Sequence, residues 1–157
     1  MDAAERVRLL VAGVADPEIP ALTIEDLGIL RGVRLDGDTV VVEITPTYSG
    51  CPALAAIRAD VERRLHEHGH AEVEVRAVLS PAWTTDRITD RGRRRLAAQG
   101  IAPPPPPGTA VEPSAVPCPQ CGSAHTELLS RCAATPCQAL RRCGACLEPF
   151  PHFRAHR

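Results

Sequence analysis

The chain has 157 residues, 44% of them hydrophobic and 24% charged, with a formal net charge of −1. That length accommodates one ordinary domain, or one small domain plus a minimal module. No apolar run is long enough to span a membrane, and all 18 basic residues are Arg, which excludes a Schiff-base lysine and the lysine of a phosphate-binding loop. Met1 to Ala15 carries Asp2, Glu5, Arg6 and Arg8 within an amphipathic pattern, unlike the basic start and apolar stretch of a signal peptide, so the expected location is cytoplasmic.

In chain order, residues 3 to 14 place Val7, Leu10, Val11 and Val14 on one helical face, and Asp16-Pro17-Glu18-Ile19-Pro20 stops that helix. Ile29 to Leu35 and Thr39 to Ile44 alternate apolar and polar residues around Asp36-Gly37-Asp38, the pattern of a hairpin. Leu54, Ile57, Val61 and Leu65 recur at helical spacing over residues 53 to 68, with Gly69 as the stop. Val73, Val75, Ala77 and Leu79 alternate as a third strand, and a last helix is expected from about Asp86 to Gln99, ending at Gly100. The order α, β, β, α, β, α implies an α/β (α+β) domain over residues 1–102, a small mixed sheet of three or four strands packed with helices.

Between the second strand and second helix lies Thr45-Pro-Thr-Tyr-Ser-Gly-Cys51-Pro52. Pro52 suits the first helical position, which puts Cys51 at or near the N-cap, where unpaired amides and the helix dipole favour an anion such as a thiolate. Gly50 allows close approach, and the hydroxyls of Thr45, Thr47, Tyr48 and Ser49 are candidate donors to a ligand. On spacing alone, a lone cysteine beside an apolar helix reads more readily as a small buried hydrophobe.

Five consecutive prolines, 103 to 107, then Gly108, Pro113 and Pro117, mark residues 103–117 as an extended, stiff, Pro-rich linker. The forty residues after it, 118–157, are too few to fold on apolar burial alone. They carry Cys118-x-x-Cys121 and Cys143-x-x-Cys146, the spacing by which two tight turns present four thiolates to one tetrahedral zinc. Gly122 and Gly144 give those turns backbone freedom. This segment is therefore expected to be a zinc ribbon with a structural zinc, because clustered cysteines in a reducing space are metal ligands more often than bridges and an odd total of seven cannot pair completely. Cys132 and Cys137 lie outside the knuckle spacing and read as packing residues or auxiliary thiols. His125 and His152 are reserve ligands, and His66, His68 and His70 read as a solvated helix end.

Asp16-Pro-Glu-Ile-Pro20, Asp26-Leu-Gly28 and the Thr45 to Pro52 segment resemble the motifs of the metal-sulfur cluster assembly family over roughly residues 5 to 80. Ser80-Pro-Ala-Trp-Thr-Thr-Asp86, Gly100-Ile-Ala-Pro103 and the four-cysteine tail ending in Glu148-Pro-Phe150 are similar to the D-subunit family of phenylacetyl-CoA epoxidase systems, over nearly the whole chain. That resemblance implies an accessory subunit of a ring-epoxidising oxygenase in aerobic phenylacetate catabolism, one that matures metal centres. Carried over, the cluster or iron ligand falls on Cys51, and the acidic loop residues fall on Asp16 and Glu18. The implied cargo is a transient iron or iron-sulfur cluster, and the implied partners are the oxygenase and reductase subunits. Asp16 reads equally as the cap of its own turn. Trp83 reads as a packing residue or as a docking residue, and Thr85 and Asp86 as the start of the last helix.

Other function classes find less support. A di-iron oxygenase site needs Glu-x-x-His pairs on helices, and none is present in that form; Glu67 to His70 crosses the helix stop. No Gly-x-Gly-x-x-Gly loop serves a dinucleotide, so no catalytic activity of its own is expected. The tail carries only a small positive charge and few aromatics, which argues against nucleic-acid binding. A structural adaptor that docks oxygenase and reductase without metal transfer is the alternative, and the sequence leaves open whether a homodimer forms to share two Cys51 residues.

Overall fold

The computed structural model describes residues 1–48, 50–108, 116–135 and 137–156. Ser49, the linker stretch 109–115, Pro136 and Arg157 lie outside the described residues, and with them the Ser49 hydroxyl and the middle of the expected linker. The chain divides into two compact units, Met1–Thr89 and Asp90–Arg157.

In the first unit α1, Ala3–Ala12, begins at Asp2, whose carboxylate accepts from the Glu5 N–H at 2.8 Å and so satisfies one open donor of the first turn. The helix ends two residues before Val14, which is nevertheless buried. Strands β1, Leu30–Asp36, and β2, Thr39–Ile44, form the expected antiparallel hairpin, and α2, Ala53–Glu67, crosses to β3, Glu72–Ala77, which runs parallel to β2. The sheet is therefore mixed and three-stranded, in the order β1-β2-β3, as the α/β reading expected. Helices α1 and α2 contact each other as well as β1 and β3, so they share one face. Val7, Val11, Val40, Val42, Ile44, Ile57, Val61 and Leu65 fill the space between, each worth about 1.5–3 kcal/mol of burial.

Two sequence expectations shift here. The third strand stops at Ala77, and Leu79 is 64% exposed, because the chain turns away after the Val78 N–H reaches the Ile44 carbonyl. The last helix does not run from Asp86 to Gln99. A single 3-10 turn, Thr85–Arg87, is followed by Ile88 in extended conformation and buried, and the Thr89 N–H donates to the Asp26 carbonyl. That anchoring interrupts the helix, which restarts as α3, Asp90–Ala98.

The Asp26-Leu27-Gly28 motif is a structural hub. Thr23 and Asp26 exchange side-chain to backbone bonds of 3.0 and 3.1 Å in the manner of a capping box, and the Trp83 indole donates to the Leu27 carbonyl at 2.7 Å. Gly28 sits at φ +69, and a Cβ there would come within 2.4 Å of the Arg87 carbonyl. Trp83 is thus buried and bonded inside its own unit, which corrects the docking role considered for it.

The second unit holds α3, then β4, Thr126–Ser130, β5, Gln138–Cys143, and β6, Pro149–Phe153, an antiparallel sheet ordered β4-β5-β6. Ala102, Val116, Cys118, Cys143 and Phe150 form one buried cluster, and Leu96, Ala139 and Phe153 are buried as well. The front half of the proline run is held rather than free: Pro104 and Pro105 are buried, and Arg93 on α3 donates to both carbonyls, at 2.6 and 3.0 Å. Ala102 bridges β6 through bonds to Pro151 and Phe153.

Candidate functional site

The two Cys-x-x-Cys turns meet. Cys118 and Cys121 precede β4, Cys143 ends β5, and Cys146 lies in the turn before β6, so the hairpin ladder sets the second knuckle against the first. The four sulfurs lie within 4.8 Å of one another, with Cys118 to Cys146 at 3.7 Å and Cys121 to Cys143 at 3.5 Å. Tetrahedral Zn–S bonds of about 2.3 Å place sulfurs about 3.8 Å apart, so the cage fits that ion. None of the seven cysteines is in a disulfide. The Gln120 N–H points at the Cys118 sulfur, and those of Ala145 and Cys146 at the Cys143 sulfur, at 3.3–3.4 Å.

Those amides have an electrostatic effect. The Cys146 N–H, helped by that of Ala145 and by neighbouring thiols, lowers Cys143 to about 6 against the cost of burial. At Cys146 the Glu148 amide favours the thiolate, but burial and the sulfurs of Cys143, Cys118 and Cys121 push it up to about 12. Four close sulfurs cannot all ionise unaided, and a dication supplies the missing charge.

Cys51 occupies a different setting. The first residue of α2 is Ala53 and Pro52 is its cap, so Cys51 stands one residue ahead of the expected position. Its N–H donates to the Tyr48 carbonyl and its carbonyl accepts from the Leu54 N–H, a tight turn with Gly50 at φ +75. Cys51 is half-buried. Asp16 is buried, and its Oδ2 accepts from the Glu18 and Ile19 N–H groups at 3.0 and 2.8 Å, so it caps its own turn. Among the described residues, neither Cys51 nor Asp16 belongs to a cluster of three or more metal-ligating groups; the ribbon cysteines do. Cys137 is buried, with its sulfur 3.0 Å from Thr135 Oγ1, whereas Cys132 is exposed. His68 sits at the end of α2 with Nδ1 2.8 Å from the Arg64 carbonyl, a helix-end role.

A protein of Escherichia coli strain K12, named as the D-subunit of a 1,2-phenylacetyl-CoA epoxidase, is 44% identical over 146 residues, covering 92% of this chain and 88% of that protein. This chain belongs to that D-subunit family. Its residues 102–154 match the PaaD zinc beta ribbon domain and residues 4–77 match the iron-sulfur cluster assembly protein family. The front of this D-subunit family member is also similar to two solved structures. A domain of unknown function, DUF59, from Bacillus anthracis has 28% identity and a TM-score of 0.55, covering 59% of this chain and 90% of that one. A conserved hypothetical protein from Thermotoga maritima has 28% identity and a TM-score of 0.50, covering 60% and 94%. No helix among the described residues is long and apolar enough to cross a membrane.

Two further residues near these sites lie outside the sequence motifs. Arg31 bonds to the start of the Cys51 segment, which depends on strand register, and Leu147 takes a positive φ of 65 beside Cys146. The second could have been noticed, since Leu147 follows its knuckle as Gly122 follows the other.

Proposed function

We propose that this chain is an accessory subunit of a phenylacetyl-CoA ring-epoxidising system and matures an iron or iron-sulfur centre in a partner oxygenase or reductase. The observation that carries this reading is the union, in one chain, of an iron-sulfur assembly family domain over residues 4–77 with a separate four-cysteine ribbon. The cargo is iron or a cluster, held at Cys51 with Asp16 as the second ligand. Few protein ligands make such a site labile, whereas a four-thiolate zinc is closed and structural. The ribbon then recognises the client. A dimer that brings two Cys51 residues to one cluster would raise the number of cargo ligands.

The test is metal and acid-labile sulfide content of anaerobically purified protein, beside Cys51→Ala and Cys118→Ala. One zinc lost in Cys118→Ala alone, with substoichiometric iron lost in Cys51→Ala alone, supports two sites of different kind. Zinc alone, with no iron after reconstitution and no effect of Cys51→Ala, sinks the maturation reading and favours the adaptor.

A further inference from the structure

Strand β1 contains a bulge. Leu30 pairs with Ile44 and Gly32 with Glu43, which leaves Arg31 as an extra residue against β2. A bulge re-aims a side chain, and bulges concentrate beside functional sites. Arg31 Nη1 donates to Thr45 Oγ1 at 3.1 Å and to the Pro81 carbonyl at 3.2 Å. Thr45 opens the Cys51 segment; it is buried, and its own N–H donates to the Ile29 carbonyl at 2.8 Å. Pro81 lies in the segment 79–82, which is exposed throughout. Because β2 and β3 are parallel, the segments that leave their C-terminal ends, 45–52 and 78–82, emerge at the same edge of the sheet.

We propose that Arg31 is a positioning residue for the Cys51 site, holding the exposed segment 79–82 against the start of the Cys51 segment so that the thiol is presented to cargo in one geometry. The assignment rests on reading Cys51 as the cargo ligand. The guanidinium links a buried anchor, the Thr45 hydroxyl, to a loop whose residues 79–82 are exposed, so its loss loosens the loop between Val78 and Trp83 while leaving the core untouched. Both bonds use a single nitrogen, and a lysine ammonium, with three donors, can serve the same two acceptors.

The experiment uses the full, zinc-loaded chain and two readouts. The first is the rate at which N-ethylmaleimide labels Cys51, followed by mass spectrometry of the peptide that carries it, which needs no iron. The second is iron retained after anaerobic reconstitution. Arg31→Ala, which removes both bonds, is expected to label roughly fivefold faster or more, the population change that losing the loop-side bond alone produces, and to retain less iron. Arg31→Lys is expected to return both towards wild type, and Thr45→Val, which deletes one acceptor, to move both in the Arg31→Ala direction. Unchanged labelling in Arg31→Ala overturns the proposal, as does a change that Arg31→Lys does not reverse. If Arg31→Ala does not fold, Thr45→Val decides, and wild-type labelling in it is equally fatal. Wild type that holds no iron, with the labelling pattern intact, sinks the cargo reading while the clamp stands. Wild-type iron with unchanged labelling sinks the clamp alone.

Discussion

Asp16 shows how one side chain can serve two readings that a conservative substitution separates. Burial raises its pKa above the ordinary 3.8, and the Ile19 and Glu18 amides oppose that rise without cancelling it. A carboxyl whose folded pKa is raised contributes stability that is complete below its unfolded pKa and is lost as pH rises through the folded value. Asp16→Asn keeps an acceptor for both amides and cannot ionise, so its stability relative to wild type should increase from pH 3 to pH 7 in urea melts. Asp16→Ala leaves the Glu18 and Ile19 N–H groups without their acceptor and should cost about 1–3 kcal/mol. If Asp16 is only a cap, Asp16→Asn retains iron as wild type does; if it is a ligand, iron is lost while the fold remains. Glu18, raised by burial and then by the Asp16 charge, loses that repulsion in the same variant.

At the scale of the element, the two knuckles solve one geometric problem differently. After Cys121 the chain takes φ +78 at Gly122, in open space, whereas after Cys146 it takes φ +65 at Leu147, which is 60% exposed. A left-handed leucine costs roughly 1–2 kcal/mol, partly offset by the lower chain entropy it has than glycine when unfolded. Leu147→Gly should therefore tighten metal retention about threefold, a net gain of roughly 0.5–1 kcal/mol, measured by competition with a coloured chelator. An unchanged competition curve would show that the turn carries no such strain. Gly144 is needed for another reason. A Cβ there would sit 2.7 Å from His125 Cδ2 and 3.2 Å from the His125 carbonyl, so close approach to His125 rather than a positive φ favours glycine at that position.

At the scale of the whole molecule, the two units draw on different sources of stability. The first has a continuous aliphatic core between helices and sheet, whereas the second buries a smaller set of side chains, among them Cys118 and Cys143 of the four-cysteine cage. A structural zinc supplies about 10–16 kcal/mol of apparent binding free energy, so chelation should abolish the ribbon strands while α1 and α2 persist by circular dichroism. Hydrogen exchange then places the boundary. If α3 folds with the second compact unit, Asp90–Arg157, its amides lose protection together with β4, β5 and β6. If it folds with residues 1–102, they stay protected.

The sequence by itself determined what depends on local spacing: the helical stripes of α1 and α2, the β1-β2 hairpin around Gly37, and the two Cys-x-x-Cys turns. These need only a few neighbouring residues to specify them, and each appears in the structure close to its expected place. Tertiary structure decided what depends on partners far along the chain. The Trp83 indole meets a carbonyl 56 residues away, and Arg31 meets one 50 residues away through a bulge that exists only in the register of β1 on β2. The break at Ile88 likewise follows from the Asp26 carbonyl capturing Thr89, an anchor that helical periodicity cannot reveal because it lies in another loop.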